Sequence, residues 1–184
     1  TDVVSNINKN YISKPYNYKG YFKYSRQVDG QEKVKEATVT IYDAQGYHRE
    51  DVASAFKELN YKFNQVRRNS EVTSVWDGLT YFDDILTADI VRNTRNVLDI
   101  VNSRDYKLKS KGKLVYEGDS VQVISYQATH PSISTTGDPA VQTYSGEIYI
   151  NLKDLAVLKN VVNLTSRDFN GLGRNLVTIN EKPK

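Results

Sequence analysis

The chain has 184 residues, of which 39% are hydrophobic and 26% are charged, and its formal net charge is +3. This length and composition predict one globular domain over residues 1–184 and exclude a mostly disordered chain. The sequence has no cysteine and no apolar run near the roughly 18 residues of a membrane-spanning helix. Disulfide bonds, thiolate chemistry and a transmembrane segment in this chain are therefore excluded.

The N-terminal part of the chain predicts a short helix followed by a β-hairpin. Apolar residues recur at helical spacing over residues 2–12. A strand-prone aromatic run follows from Tyr16 to Tyr24, and apolar and polar residues alternate from Val34 to Tyr42. The Asp29-Gly30 dipeptide between these two runs is a strong signal for a tight turn.

The middle of the chain predicts less regular structure. Apolar residues at three- and four-residue spacing predict a short helix from Asp51 to Leu59, and alternation predicts a strand from Tyr61 to Arg67. From Trp76 to Val101 the apolar spacing changes again, which is typical of a helical or irregular insert.

The C-terminal part predicts a run of short strands with hairpin-length links. Alternation defines five of them: Lys107–Tyr116, Val121–Ala128, Glu147–Leu152, Leu155–Leu164 and Asn175–Ile179. Consecutive strands joined by short links pair antiparallel. We therefore predict an α+β fold in which a curved antiparallel sheet of about seven or eight strands packs against a few short helices.

Three aspartates in the insert are the candidates for catalysis. Asp83, Asp84 and Asp89 lie near aromatic residues, and paired carboxylates serve in glycoside hydrolysis and in hard-metal sites. Together with His130 they define one alternative, a carbohydrate-active or hydrolytic enzyme. First-turn acids that stabilise a helix explain the same cluster. Because the sequence has no nucleophile elbow, phosphate loop or dinucleotide motif, we expect no enzyme activity, no cofactor and no metal.

Four lysines form the most regular charged pattern in the chain. Lys107, Lys109, Lys111 and Lys113 occupy every second position, so on a regular strand they would share one face. Such a stripe could bind phosphate or an anionic lipid headgroup, but it is more typical of the solvated side of a strand. No aromatic residues or recognition helix accompany it, so we do not expect nucleic-acid binding.

Hydrophobic cargo is the remaining class of function. A curved antiparallel sheet with a helical plug on its concave face can enclose an apolar pocket. We predict that the plug, and the ligand-binding residues, are Trp76, Leu79, Tyr81, Phe82, Ile85 and Leu86. In the alternative these side chains only fill the core, and the domain is a structural connector without a pocket.

The order of short motifs along the chain resembles a known family. The motifs are Asn10-Tyr11, Lys14-Pro15, Gly20-Tyr21-Phe22, Glu36-Ala37-x-Val39-x-Ile41-Tyr42-Asp43, Gln65-Val66-Arg67, Asp89-Ile90-Val91-Arg92-Asn93, Tyr116-x-Gly118, Val121-x-Val123-Ile124, Tyr144-x-Gly146-x-Ile148-Tyr149-Ile150 and Leu155-Ala156. They resemble the domain that follows a carboxypeptidase-regulatory-like β-sandwich in envelope proteins of Bacteroidetes. At Lys23-Tyr24 the chain departs from the Arg-Glu pair that is usual in that family.

The resemblance implies both a fold and a location. The family's second half is similar to the lipoprotein-carrier (LolA/LolB-like) half-barrel, whose curved sheet and plug helices hold acyl chains. It implies a periplasmic or outer-membrane-associated domain with a lipid-like ligand or an envelope protein partner, and no peptidase activity. The chain begins at Thr1, contains no methionine and shows no leader pattern. From these features we expect the chain to be part of a longer protein, and the resemblance implies that an upstream β-sandwich precedes it.

Overall fold

Seven β-strands and three short helices make up the part of the chain that the computed structural model describes. The described residues are 2–28, 30–49, 59–69, 89–94, 96–99, 101–132, 136 and 140–167. The helices are α1 (Asp2–Ser5), α2 (Ile7–Asn10) and a 3-10 helix at Asn102–Asp105. The strands are β1 (Tyr16–Val28), β2 (Gln31–Asp43), β3 (Leu59–Arg68), β4 (Tyr106–Tyr116), β5 (Asp119–Ala128), β6 (Val141–Asn151) and β7 (Val157–Ser166).

The first sheet has three antiparallel strands in the order β1-β2-β3. β1 and β2 pair along their whole length, from Tyr16 opposite Asp43 to Val28 opposite Gln31. Gly30 in the turn has a φ of +77°, a left-handed backbone conformation that glycine adopts without a steric penalty. The predicted helix at the N-terminus, the hairpin and the strand at β3 are confirmed, although the helix breaks into α1 and α2 at Asn6.

The second sheet is a four-stranded antiparallel meander in the order β4-β5-β6-β7. The β4–β5 turn places Glu117 and Gly118 at φ +51° and +90°, which matches the twist of a two-residue hairpin. These four strands confirm the predicted meander. The fifth predicted strand, Asn175–Ile179, lies outside the described residues, as do residues 50–58, where most of the predicted second helix falls.

A β-bulge in β4 contradicts the expectation that the four lysines share one face. The β4–β5 register shifts between Ser110 and Gly112, so Lys111 is an extra residue and the alternation reverses beyond it. Lys107 and Lys109 therefore lie on one face of the sheet and Lys113 on the other. The Gln122 side-chain amide holds the bulge, because it donates to Ser110 Oγ and to the Gly112 carbonyl, each at 2.9 Å.

The main hydrophobic core lies on the inner face of the four-stranded sheet. Ile7 of α2 packs there against strand side chains, together with Ile90, Val91 and Val97. Its buried members are Ile7, Ile90, Val91, Val97, Tyr106, Tyr126, Tyr144, Ile148 and Ile150. Burial of this many apolar side chains supplies the main driving force for folding of this half of the chain.

The described part of the predicted insert is irregular. Residues 89–94 and 96–99 form turns in which side chains replace helical hydrogen bonds. Asp89 Oδ1 accepts from the Val91 and Arg92 amides, and Asn96 Oδ1 accepts from the Leu98 amide. No helix in the described ranges is long and apolar enough to span a bilayer.

The strands form two sheets where the sequence predicts one. Antiparallel pairing and a few short helices agree with the predicted α+β class. The division arises because no described strand of the first sheet pairs with a strand of the second. Strand alternation encodes which residues face inward, but it carries no information about which edge strands meet.

Candidate functional site

A buried joint of charged and aromatic side chains connects the first sheet to the main core. Arg92 Nη1 donates to Asp43 Oδ2 at 2.7 Å, and the Asp43 side chain is fully buried. Asp43 Oδ1 accepts from the Gln45 and Gly46 amides. The guanidinium of Arg92 lies 5.6 Å above the Tyr47 ring. The Asp43 carboxylate is thus satisfied on both oxygens, as a charge away from water requires.

Asp89, one of the candidate catalytic residues, belongs to this joint. The Tyr47 hydroxyl donates to its carboxylate, with distances of 2.7 and 2.8 Å to the two oxygens. Burial raises the pKa of Tyr47, and the neighbouring Asp89 charge raises it further. The Val91 and Arg92 amides also donate to this carboxylate. Asp89 therefore stabilises the turn that begins at Asp89 itself.

The same joint fixes the N-terminal helices to the last strand of the meander. The rings of Tyr11 and Tyr47 stack with centroids 4.7 Å apart. The Tyr11 hydroxyl donates to the Val157 carbonyl at 3.2 Å and accepts from the Val157 amide at 3.1 Å. Asn10 Nδ2 donates to the Asp154 carbonyl at 2.9 Å. We call Tyr11, Asp43, Tyr47, Asp89 and Arg92 the buried joint.

Of the other predicted catalytic residues, only His130 lies among the described residues. Asp83 and Asp84 lie outside the described residues, and His130 is exposed in the loop that follows β5. Across the described ranges, no group of three or more histidine and carboxylate side chains is arranged to hold a metal ion.

A second hydrophobic cluster lies on one face of the three-stranded sheet, and we call it the apolar face. Phe22, Ala37, Val39 and Ile41 are between 1% and 3% exposed, and Tyr24, Tyr61 and Phe63 pack against them partly buried. The Phe22 and Phe63 rings are 5.9 Å apart, and Tyr61 meets Phe63 edge-on at 5.5 Å. Within the described ranges, every member comes from this sheet's own strands.

The predicted ligand-binding segment cannot be compared with the apolar face. Trp76, Leu79, Tyr81, Phe82, Ile85 and Leu86 all lie outside the described residues. Their role in binding stays a prediction. The apolar face itself was visible in the sequence only as strand alternation, since Ala37, Val39 and Ile41 alternate with polar residues.

A groove of about 620 Å³, lined by both polar and apolar side chains, crosses the outer face of the four-stranded sheet. Two neighbouring cross-strand rows, each with one residue from every strand, form most of its lining, and Leu108, Tyr126 and Gly146 from the row between them complete it. One row is Lys107, Gln127, Ser145 and Asn163, and the other is Lys109, Ser125, Glu147 and Val161. The short side chains of Ser125 and Ser145 lie in the middle of the rows, with longer ones around them. The groove forms because these two short side chains lie among residues with longer side chains.

An aromatic pair lies beside this groove on the same face. Tyr149 is in the next cross-strand row, opposite Val123 and Lys159. Its ring centroid lies 5.4 Å from that of Tyr116. Lys159 Nζ is 5.2 Å from the Tyr149 ring and 5.3 Å from the Tyr116 ring, a distance at which a cation is attracted to an aromatic face.

Comparisons with known proteins identify no family for this chain. No protein-family model matches it, and no curated protein matches it. Among solved structures, it is similar to a DUF1329 family protein from Desulfovibrio piger ATCC 29098, with 9% identity and a TM-score of 0.29, over 90% of this chain and 72% of that chain. A TM-score this low does not establish a shared fold.

Proposed function

We propose that this chain is a non-catalytic binding or scaffolding module of the cell envelope, and that the apolar face of its three-stranded sheet accepts a lipid-like ligand or a partner segment. The observation that carries the proposal is the second hydrophobic cluster, whose described members all come from one sheet. In the LolA/LolB-like half-barrel that the sequence resembles, the concave face of a curved sheet has this role. The envelope location follows from the same resemblance.

The contrast between the two hydrophobic clusters supports this choice of surface. On the four-stranded sheet, Ile7, Ile90, Val91 and Val97 already pack over the strand side chains. Elements from outside that sheet thus cover its inner face, whereas the described members of the apolar face all belong to the three-stranded sheet itself. The apolar face would instead hold an acyl chain between itself and the predicted plug, residues 76–86. Apolar contact of this kind is favourable in proportion to the area removed from water.

The buried joint supports the non-catalytic part of the proposal. Asp89 accepts hydrogen bonds from Tyr47 and from two backbone amides. A general acid or base must lie within hydrogen-bond reach of a substrate proton, whereas these three donors all belong to the chain itself. The geometry instead gives Asp89 a structural role.

The buried joint also favours a second candidate, a structural connector. Its ion pair and stacked tyrosines join the N-terminal helices, the end of β2 and the start of β7. A domain that keeps an upstream domain and an envelope partner in a fixed relative placement would need rigid contacts such as those of the buried joint. In this candidate the apolar face is filled by the chain's own residues and binds nothing.

Titration with a fluorescent long-chain fatty acid tests the first proposal. We expect the wild-type protein to bind it saturably. Tyr61→Ala should weaken binding by about fivefold or more, because it removes an aromatic side chain from the apolar face. Tyr42→Ala is the matched control, since Tyr42 lies on the opposite face of the same sheet and is exposed; it should leave binding unchanged.

Native mass spectrometry of protein purified from an envelope fraction completes the test. Co-purifying lipid that is lost in Tyr61→Ala would support the proposal. A folded wild-type protein that carries no lipid and does not bind the fatty acid would contradict it and leave the structural connector. Equal effects of Tyr61→Ala and Tyr42→Ala would show that any binding lies away from the apolar face.

A further inference from the structure

The outer groove of the four-stranded sheet has the shape of a site for an extended ligand. Its two cross-strand rows run over four strands, and neighbouring strands lie about 4.8 Å apart, so the groove is about 14 Å long. The short side chains of Ser125 and Ser145 form the floor of the groove at its middle. A single small ion would occupy only a fraction of this length.

The chemistry of the groove fits a hydroxylated ligand. Gln127 and Asn163 offer amide donors and acceptors, Ser145 offers a hydroxyl, and Glu147 offers a carboxylate. Together these groups supply both hydrogen-bond donors and hydrogen-bond acceptors, which sugar hydroxyls can use in either role. The Tyr149 ring in the next row adds an amphipathic surface of the kind that packs against a sugar ring.

The charges on this face favour an acidic ligand. In the groove rows and the row beside them, Lys107, Lys109 and Lys159 are positive and Glu147 is negative. Lys107 and Lys109 project side by side from β4 at one end of the groove, and both are exposed. A carboxylate at that end of the ligand would form charge-assisted hydrogen bonds with them.

We propose that this groove is a binding site for an acidic oligosaccharide, laid across the four strands with a carboxylate at Lys107 and Lys109. The site is independent of the apolar face, because the two lie on different sheets. A phosphate group alone would need cations that converge on one point, whereas here the two groove lysines lie at one end, and the rest of the lining is uncharged except for Glu147. The proposal gives a role to the bulge in β4, which turns Lys113 away from this face.

Calorimetric titration with oligogalacturonate of three to six units tests the proposal. We expect saturable binding, at least tenfold weaker binding of neutral galactose oligomers of the same length, and no saturable binding of oligoglutamate. Lys109→Ala should weaken oligogalacturonate binding by about threefold to fivefold, as loss of one exposed charge contact predicts. Ser145→Phe should weaken it at least tenfold, because the ring would fill the middle of the groove.

Lys113→Ala is the matched control, since it removes the same charge from the same strand on the other face of the sheet. It should leave binding unchanged. Equal losses for Lys109→Ala and Lys113→Ala, or equal binding of oligoglutamate, would overturn the proposal in favour of a general attraction for polyanions. Absence of saturable oligogalacturonate binding by wild-type protein with native circular dichroism would overturn it as well. Failure of the fatty-acid test leaves this result untouched.

Discussion

Gly146 lies where the β6 backbone passes against the Tyr126 ring. A β-carbon at this position would collide with the Val161 carbonyl oxygen and with the end of the Tyr126 side chain. The backbone oxygen cannot move without disturbing the β6–β7 pairing. We expect Gly146→Ala to lower the free energy of unfolding by about 2–3 kcal/mol, the usual effect of overpacking in a core, as measured by urea denaturation.

Gly20 provides the matched control for this substitution. It is also a strand glycine, but its β-carbon would meet only Val39 Cγ1 at 3.4 Å, an ordinary contact distance. Gly20→Ala should therefore leave the free energy of unfolding within about 0.5 kcal/mol of wild type. Similar effects of the two substitutions would show that the close contact at Gly146 is relieved by small movements of β6 and β7.

Single residues also mark the limit of what the sequence could predict. Asp43 falls at an inward position of an alternating strand, and that pattern alone indicates a buried carboxylate in need of a partner. Its partner Arg92 follows 49 positions later along the chain. No local spacing connects the two, because the contact depends on how the sheet and the turn after Asp89 pack together.

The two N-terminal helices depend on tertiary contacts for their stability. Each has only four residues, far fewer than an isolated helix needs in water. Ile7 anchors α2 in the main core and is 3% exposed. We expect Ile7→Ala to lower the free energy of unfolding by about 2–4 kcal/mol through the lost burial and the cavity left behind, as measured by guanidinium denaturation.

Ile12, five residues further on, serves as the comparison. Its side chain is 59% exposed, so Ile12→Ala should change the free energy of unfolding by no more than about 0.5 kcal/mol. If Ile7→Ala were as mild as Ile12→Ala, the N-terminal helices would contribute little to the core. Truncation from the N-terminus would then be tolerated.

Most strands were predictable because each element carries its own local signal. Alternation located six of the seven described strands closely, and the Asp29-Gly30 dipeptide marked the first hairpin. For β6 the sequence located only the second half. The bulge at Lys111 was missed because one extra residue reverses the alternation without any change in composition. The division into two sheets was missed because pairing between distant strands has no local signal.

Alkaline pH should destabilise the whole molecule through its buried tyrosines. Burial raises the pKa of Tyr11, Tyr47, Tyr126 and Tyr144, and burial together with the Asp43 charge raises the pKa of Tyr16 to about 12. Below a pH of about 10 these groups keep their proton in both the folded and the unfolded chain, so stability is unaffected. Above it the unfolded chain releases protons that the folded chain retains, and the free energy of unfolding falls.

Absorbance at the tyrosinate band measures this effect directly. In urea, the 14 tyrosines should ionise together near their ordinary pKa. In the folded protein a group of them should ionise only at higher pH, together with loss of native circular dichroism. If every tyrosine of the folded protein ionised near pH 10 with the structure intact, these rings would be more accessible to water than the structure shows.

The functional sites were less predictable than the fold, since a site is a property of the assembled molecule. The lysine stripe was visible in the sequence, yet its division between two faces depends on the bulge. The rows that line the outer groove bring together residues as far apart as Lys107 and Asn163. Only the register of three strand pairs shows that they are neighbours.

The bulge in β4 also bears on how copies of this protein behave at high concentration. β4 is at the edge of the described four-stranded sheet, and an exposed edge strand offers free hydrogen-bonding groups to any other extended chain. The register shift beside Gly112 interrupts that row near its middle. A second β4 could extend the ladder over only about half its length before the donors and acceptors fall out of step, while lysines on both strands repel each other. The irregularity therefore protects the molecule against fibril-like self-association.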